Sequence, residues 1–265
     1  MKKTVVHGSE EKVARLAVLI DADNASAKNI KSILDEVTKY GEATVKRIYG
    51  NFTDQVGSAW KQCINDLAIK PMQQFAYTTG KNATDGFMII DAMDLLYTDR
   101  FDGFCIVSSD SDFTALAVRI KEQGATVYGF GKKQTPLAFI NACSHFTYVE
   151  NLEKDKEDFN EDIKSAPQKN ISKKSEPVTS GNTQSLPRAV LPLKTIRRIF
   201  NNQDSDWITV ASLGSQWKLL QTDFDPRTYG CKKVSDLVKA YPDIFDIEER
   251  VTTNDHKHLY VRLKI

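Results

Sequence analysis

The chain has 265 residues, with 36 Lys and Arg side chains against 35 Asp and Glu, so it exceeds one domain of usual size and its net charge does not indicate a polyanionic partner. Its four cysteines lie far apart without a C-x-x-C pair, which argues against structural zinc and against a disulfide framework. No apolar run approaches the roughly 20 residues that cross a bilayer, and residues 1–15 lack the apolar segment of a secretion signal, so we expect a cytoplasmic protein without a membrane partner.

The first 152 residues alternate short apolar runs with stretches of helical period, which is typical of βαβ units and a mostly parallel sheet. The apolar run at 16–20 predicts a buried central strand, and apolar spacing over 26–39 predicts the helix after it. Further strands are predicted at 44–49, 72–76, 103–107, 126–130 and 146–149, and further helices at 59–68, 85–97, 113–123 and 136–143. With right-handed crossovers, this order predicts a three-layer α/β/α domain over residues 1–152.

Residues 153–189 are rich in Lys, Glu, Ser, Asn, Gln and Pro and contain almost no large apolar side chain. Such a segment cannot bury enough surface to offset its conformational entropy, so a flexible linker is predicted. Apolar patterning resumes at residue 190, with helices predicted near 193–201, 210–220 and 234–241 and strands near 244–248 and 258–263. Three helices followed by a hairpin is the order of a winged helix, predicted over residues 190–265.

Aspartates lie at the ends of two predicted strands and at the start of one predicted helix, all at the same edge of the predicted sheet. Asp21 ends the first strand, Asp110 and Asp112 follow the strand at 103–107, and Asp85 opens the helix at 85–97. Carboxylates that converge at the carboxyl edge repel one another unless a cation lies among them, and oxygen ligands favour Mg²⁺ or Mn²⁺ over zinc. Each aspartate alone is better explained as a helix cap, but three segments at one edge favour a metal site for phosphoryl transfer.

Five segments carry these residues in order: VLIDADN at 18–24, TDG at 84–86 with Asp91 in the same helix, IVSSDSDF at 106–113, VYGFG at 127–131 and FTYVENL at 146–152. They resemble the successive motifs of the NYN family, a branch of the PIN-like nucleases. The resemblance implies an RNA-cleaving hydrolase that depends on Mg²⁺ or Mn²⁺, with internal cleavage favoured.

Site residues also follow from this resemblance. It implies that the metal is bound by Asp21, Asp85, Asp110 and Asp112. Asn24 is implied to act in catalysis by orienting water or a phosphate, and Asp91 to support its helix from behind the metal ligands. Lys81, Lys132 and Lys133 would lie in loops above the same edge and are candidates for RNA contact, with ordinary solvated lysines as the alternative.

The segments WITVASLG at 207–214, FDPRTYGCKKVSDL at 224–237 and YPDIF at 241–245 resemble the OST-HTH or LOTUS domain, a winged-helix module. The resemblance implies RNA binding and, in some contexts, a protein partner, so a homo-oligomer or a protein complex stays open. Arg227, Lys232 and Lys233 are candidates for RNA contact, although a solvated helix face explains them equally well. Trp207 and Phe245 are interpreted as core residues.

Other classes fit the aspartates less well. A haloacid-dehalogenase phosphatase would require Thr or Val where Ala25 stands, and a Toprim enzyme would require Glu where Asp21 stands. The serious alternative to a ribonuclease is a non-catalytic RNA-binding or scaffold protein with an inactive PIN-like domain.

Overall fold

The structure, a computed structural model, describes residues 13–53, 55–74, 83–152, 190–203, 205–251 and 257–264. The chain divides into two compact units between Leu152 and Glu153. The predicted linker at 153–189 and Lys81 lie outside the described residues. Among the helices of the described ranges, none has the length and apolar character needed to cross a membrane.

The described residues of the first unit form a six-stranded sheet in which every neighbouring pair is parallel, in the order β3-β2-β1-β4-β5-β6. The strands are β1 Arg15–Asp21, β2 Glu42–Gly50, β3 Lys70–Gln73, β4 Gly103–Val107, β5 Thr126–Gly131 and β6 His145–Tyr148. The direction of the strand order changes between the central strands β1 and β4. In open parallel sheets, this switch point opens a crevice at the carboxyl ends of the strands, where ligands bind.

Helices cover both faces of this sheet, which confirms the predicted three-layer fold. They are α1 Ile30–Val37 and α2 Gln55–Asp66 on one face, and α3 Ala83–Leu96, α4 Thr114–Glu122 and α5 Leu137–Ala142 on the other. Strand β1 alternates between the two cores, because Ala17 and Leu19 pack on the α3 side and Val18 and Ile20 on the α1 side. Burial on both faces explains why β1 is continuously apolar in the sequence.

Several predicted boundaries differ from the structure in the first unit. The helix predicted at 59–68 spans Gln55–Asp66. The helix predicted at 26–39 begins only at Ile30, because Asn29 donates a backbone hydrogen bond to Ser26 in a turn before it. The strand predicted at 72–76 starts at Lys70 and ends at Gln73. This strand, β3, pairs only with β2 and lies at the edge of the sheet, where partial burial weakens the apolar pattern.

The second unit is a winged helix, as predicted. It contains helices α6 Leu193–Asn201, α7 Val210–Leu220 and α8 Val234–Ala240, and an antiparallel sheet of β7 Ile208–Thr209, β8 Phe245–Val251 and β9 Lys257–Leu263. The two-residue strand β7 was not predicted, because two residues show no alternation. A 3₁₀ helix at Pro226–Tyr229 ends at Gly230, whose φ of 77° is a left-handed conformation that glycine adopts without strain.

The core of the second unit is organised around Trp217, which is fully buried and stacks on Phe224 with a ring-centroid distance of 4.1 Å. Phe245 is buried, as the sequence indicated. The interpretation of Trp207 as a core residue was wrong. Trp207 is only partly buried, and the guanidinium groups of Arg250 and Arg262 lie 5.1 and 5.0 Å from its ring centroid.

Candidate metal centre and RNA-binding surface

Three carboxylates converge at the carboxyl edge of the parallel sheet. One carboxylate oxygen from each of Asp85, Asp110 and Asp112 lies within 4.8 Å of the other two. Asp85 belongs to the first turn of α3, whereas Asp110 and Asp112 come from the loop and the 3₁₀ helix Ser111–Phe113 that follow β4. An all-oxygen set at this spacing fits a hard divalent cation such as Mg²⁺ or Mn²⁺. We name these three residues the aspartate cluster.

The pKa of Asp85 reflects its burial and the charges around it. An aspartate that only caps a helix has its pKa lowered by the helix dipole. The pKa of Asp85 is instead raised to about 6, first by burial and then by the negative charges of Asp21, Asp110, Asp112 and Asp23, in that order. Burial and the neighbouring carboxylates thus act in the same direction on this pKa, and a cation among the carboxylates would relieve their repulsion.

This pKa predicts that the metal-free protein becomes more stable when Asp85 is neutralised. In Asp85→Asn we expect a gain of about 1 kcal/mol at pH 7, because one pKa unit corresponds to about 1.4 kcal/mol and solvent screens a partly exposed site. Because the pKa of Asp85 is higher in the folded than in the unfolded protein, the unmodified chain is most stable below about pH 4. It loses this part of its free energy of unfolding as the pH rises through about 6. The gain should therefore vanish near pH 4.

Thermal unfolding in EDTA measures this effect. At pH 7 we expect the Tm of Asp85→Asn to exceed that of the unmodified chain by roughly 2–4 °C. Asp94→Asn is the matched control, because Asp94 is an exposed carboxylate on the same helix. An equal gain in the control, or a gain in Asp85→Asn that persists at pH 4, would contradict the electrostatic explanation.

Asp21 stands beside the aspartate cluster and is fully buried. Its Oδ1 accepts hydrogen bonds from the backbone N–H groups of Asp23 (3.0 Å) and Asn24 (3.3 Å). Its Oδ2 accepts from Asn24 Nδ2 (2.7 Å) and Ser108 Oγ (2.8 Å). A carboxylate has about four acceptor positions, so the protein itself occupies all those of Asp21. Asp21 thus orders the loops around the cluster and contributes negative charge to it. The predicted role of Asp21 as a metal ligand stays a prediction.

Ser108 links Asp21 to the loop that carries Asp110. Its hydroxyl donates to Asp21 and accepts from the Asp110 backbone N–H at 3.0 Å. Asp110 in turn caps the following 3₁₀ helix, because its Oδ1 accepts from the Asp112 backbone N–H at 2.9 Å. Asp110 therefore caps the 3₁₀ helix and also belongs to the aspartate cluster. Ser108 was not among the predicted site residues, although it lies in the segment 106–113. Its place between the end of a buried strand and an aspartate was the signal that could have indicated its role.

Asn24 and Asp23 lie on the other loop of the site. Besides its bonds to Asp21, Asn24 lines a narrow crevice at the switch point together with Ser109 and Lys132. The pKa of Asp23 is raised by burial and by Asp21, whereas a hydrogen bond with the Thr84 side chain lowers it. Asp23 was not among the predicted site residues, although the D-x-D spacing after β1 could have indicated it.

Asp91 does not join the aspartate cluster. Its carboxylate accepts hydrogen bonds from Arg47 and from the Tyr49 hydroxyl, both on β2. These contacts attach α3 to the sheet, so Asp91 supports the helix through β2.

Two of the predicted basic residues lie near the carboxyl edge, in the loop after β5. Lys132 is half-buried and its backbone N–H donates to Ser109 Oγ at 2.9 Å, whereas Lys133 is exposed and its backbone N–H donates to Glu150 Oε1 at 3.0 Å. The loop packs closely here, because a Cβ atom on Gly131 would lie 2.8 Å from the Ser108 carbonyl oxygen. Lys132 therefore has a defined backbone position beside the crevice.

The basic residues of the second unit differ in their exposure. Lys232 and Lys233 are exposed before α8. The guanidinium of Arg227 instead donates to both carboxylate oxygens of Asp225, with a shortest distance of 2.7 Å, and its side chain is only 14% exposed. This ion pair uses the Nε and Nη2 donors on one edge of the guanidinium, so that edge is not available to a phosphate.

Helix α6 carries a basic surface that the sequence reasoning missed. Lys194, Arg197 and Arg198 are exposed and follow i, i+3, i+4 spacing, which places them on one side of the helix. The helix contains no acidic residue, and none of the ion pairs within the described residues involves these three side chains. The run KTIRR beside an apolar stripe was the signal that could have found this surface, which we name the α6 basic face.

Two family models match the chain. The model described as the NYN domain matches residues 15–152, just over half of the chain, and the model described as the OST-HTH/LOTUS domain matches residues 191–256. Both matches confirm the resemblances drawn from the motifs.

Individual relatives cover single parts of the chain. An uncharacterised protein of Methanocaldococcus jannaschii is 27% identical over 123 residues, which cover 44% of this chain and 47% of that protein. A crystal structure of a protein of unknown function from Vibrio parahaemolyticus has a TM-score of 0.45 at 17% identity and covers 52% of this chain and 94% of that one. A solution NMR structure of an uncharacterised protein from Nitrosomonas europaea has a TM-score of 0.29 at 34% identity, and the match covers 36% of this chain and 93% of that one. The chain thus spans about half the length of the curated relative that it matches.

Proposed function

This chain belongs to the NYN family, and we propose that it is a ribonuclease that hydrolyses RNA phosphodiester bonds with Mg²⁺ or Mn²⁺ at the aspartate cluster. NYN and other PIN-like nucleases generally use divalent metals, and the LOTUS domain adds an RNA-binding module. The observation that carries the proposal is the crowding of three carboxylates within 4.8 Å, with the pKa of Asp85 raised to about 6. A capping role alone would lower that pKa.

Asp85, Asp110 and Asp112 would hold the ion. When bound, a divalent metal neutralises charge on the phosphate and makes water more acidic, which is the chemistry that hydrolysis requires. The chain's own residues prepare the site for this. Asp21 orders one loop through Asn24 and the other through Ser108, so that little rearrangement is needed on binding. Lys132, at the same edge, would attract an RNA phosphate.

We also propose internal cleavage. The cluster lies at an edge of the sheet where Asp112 is exposed, so an RNA strand could continue on both sides of the cleaved bond. Hydrolysis there gives two fragments, one ending in a phosphate monoester and the other in a hydroxyl. A circular single-stranded RNA tests this directly, because an enzyme that requires an end leaves it intact.

The α6 basic face is proposed to bind RNA phosphates, and the exposed Lys232 and Lys233 are proposed to do the same. Its three cations lack ion-pair partners in the part of the second unit that the structure describes, so RNA binding would not first have to break an ion pair. Arg227 would contribute only after leaving Asp225. Basic side chains that neutralise phosphates give affinity without sequence selection, so this surface supports broad RNA binding.

One observation favours a second candidate function. All acceptor positions of Asp21 are filled by donors of the protein, which is also what a purely structural aspartate would show. In that case, the first unit would bind RNA or a protein partner without cleaving, and the cluster would only order its loops.

Cleavage assays with Mn²⁺, with Mg²⁺ and with EDTA separate the two functions. We expect single-stranded or structured RNA to be cut with either ion and to remain intact in EDTA, because the carboxylates alone cannot activate water on an anionic phosphate. Cleavage that continues in EDTA would contradict the metal mechanism. Tight RNA binding without cleavage under any of the three conditions would support the non-catalytic function.

A further inference from the structure

Helix α3 carries Asp85 but does not have a single apolar face that would determine its rotation. Its inner side buries Met88, Ala92 and Leu95 against the sheet. Its outer side is also apolar in part, since Ile90 is 63% exposed. A helix with one apolar stripe turns that stripe to the core, whereas a helix that is apolar on several sides can satisfy the core in more than one rotation. Another interaction must therefore select the rotation.

A polar group lies between α3 and β2. The carboxylate of Asp91 accepts hydrogen bonds from the Arg47 guanidinium and the Tyr49 hydroxyl. The Arg47 and Asp91 side chains are only 21% and 13% exposed, and Tyr49 is fully buried. Buried polar groups require partners, so any rotation of α3 that separates these three residues would leave a charge unpaired. We name Arg47, Tyr49 and Asp91 the polar clamp.

The polar clamp lies close to the metal centre along both of its elements. Tyr49 pairs with Asp21 in the register of β2 and β1, and its ring contacts Phe87 edge to face at 5.8 Å. Asp91 follows Asp85 by six residues on the same helix. A side-chain oxygen lies roughly 6 Å from a helix axis, so a rotation of about 20° would move the Asp85 carboxylate by about 2 Å. Such a movement is large beside the spread of metal–ligand distances, which is about 0.2 Å.

We propose that the polar clamp sets the rotation of α3 and thereby holds Asp85 against Asp110 and Asp112, so that Arg47, Tyr49 and Asp91 are positioning residues of the divalent metal site. This inference rests on the proposed function. In the metal-free protein, the carboxylates of Asp110 and Asp112 repel that of Asp85. The clamp opposes a rotation of α3 that would move Asp85 away from them. The bonds of the clamp cross from β2 to α3 and involve none of the three cluster carboxylates.

The test measures Mn²⁺ affinity of the full chain by titration calorimetry, without RNA. Tyr49→Phe removes one hydroxyl and keeps the buried ring, and Arg47→Lys keeps the charge but not the guanidinium geometry. We expect each of the two variants to weaken Mn²⁺ binding about 10-fold. This is the lower end of the loss of metal affinity that follows when residues orienting the metal ligands are replaced. Asp94→Asn, on the exposed side of α3, should bind Mn²⁺ as the unmodified chain does.

A second control separates positioning from general stability. Leu95→Ala deletes a buried side chain of the same helix and removes none of the hydrogen-bonding groups of the clamp, so it should lower the Tm at least as much as Tyr49→Phe. We expect its Mn²⁺ affinity to stay within about twofold of the unmodified chain, and far-UV circular dichroism checks that every variant is folded.

The outcomes are distinct. Clamp variants that bind Mn²⁺ as tightly as the unmodified chain would overturn the inference and leave the proposed function intact. The inference also fails if Leu95→Ala weakens binding as much as Tyr49→Phe at equal loss of Tm. An unmodified chain that binds no Mn²⁺ would overturn the proposed function itself, and the inference with it.

Discussion

An Asp110→Asn variant should lose about 100-fold or more of its Mn²⁺-dependent RNA cleavage, because catalytic electrostatic groups typically contribute effects on this order. The substitution removes one negative charge from the aspartate cluster. An asparagine can still accept the hydrogen bond from the Asp112 backbone N–H, so the cap of the 3₁₀ helix is kept. Single-turnover cleavage at fixed Mn²⁺ concentration measures the effect, and RNA affinity should be unchanged.

Asp94→Asn is the control for this experiment, since it removes the same charge from the exposed side of α3. Its cleavage rate should match that of the unmodified chain. Full activity in Asp110→Asn would show that the cluster is not the centre of cleavage. Equal losses in both variants would show that only the net charge of the domain matters.

The second large effect is expected in a triple variant of the α6 basic face, Lys194→Gln, Arg197→Gln and Arg198→Gln. Its RNA affinity at low salt should fall by about 10- to 100-fold, because the lost cations no longer release counterions from the RNA. Each phosphate contact on a single strand contributes about 0.7 to the slope of log affinity against log salt concentration. The slope should therefore fall in magnitude by about 2, as filter binding or fluorescence anisotropy over a salt series would measure.

The matched control neutralises three exposed lysines elsewhere in the same domain, Lys218→Gln, Lys257→Gln and Lys264→Gln. It removes the same total charge and should retain most of the affinity. Equal slopes in the two triple variants would show that binding depends on overall charge and would contradict a specific role for α6. Cleavage of a short RNA that reaches only the first unit should be unaffected in both.

The central position of β1 could be predicted because this strand is buried on both faces. Such strands appear as continuous apolar runs, and parallel strands with helical crossovers must end at one edge. The convergence of Asp85, Asp110 and Asp112 follows from these rules and requires no knowledge of side-chain conformation. Predicted strand boundaries were wrong where the strand is only partly buried, as at β3.

Contacts between distant side chains could not be predicted in the same way. Asp91 meets Arg47 and Tyr49, which precede it by 44 and 42 residues, and no periodicity relates them. The saturation of Asp21 by hydrogen bonds depends on how two loops approach each other. The ion pair between Arg227 and Asp225 is local, but its geometry depends on the 3₁₀ helix that Asp225 caps. Composition and spacing identify which groups are present, whereas their pairing is a property of the folded chain.

The aspartate cluster draws its members from two segments that lie more than twenty residues apart, and Asp21 joins them from a third. Unfolded chains do not bring these segments together, so a divalent ion bound there is a ligand of the native state alone. At a concentration 100-fold above its Kd, such an ion would add about 2.7 kcal/mol to the free energy of unfolding. The lifetime of the first unit against proteolysis would then depend on the supply of divalent metal, and the same ion that permits cleavage of RNA would protect the protein from being cleaved itself.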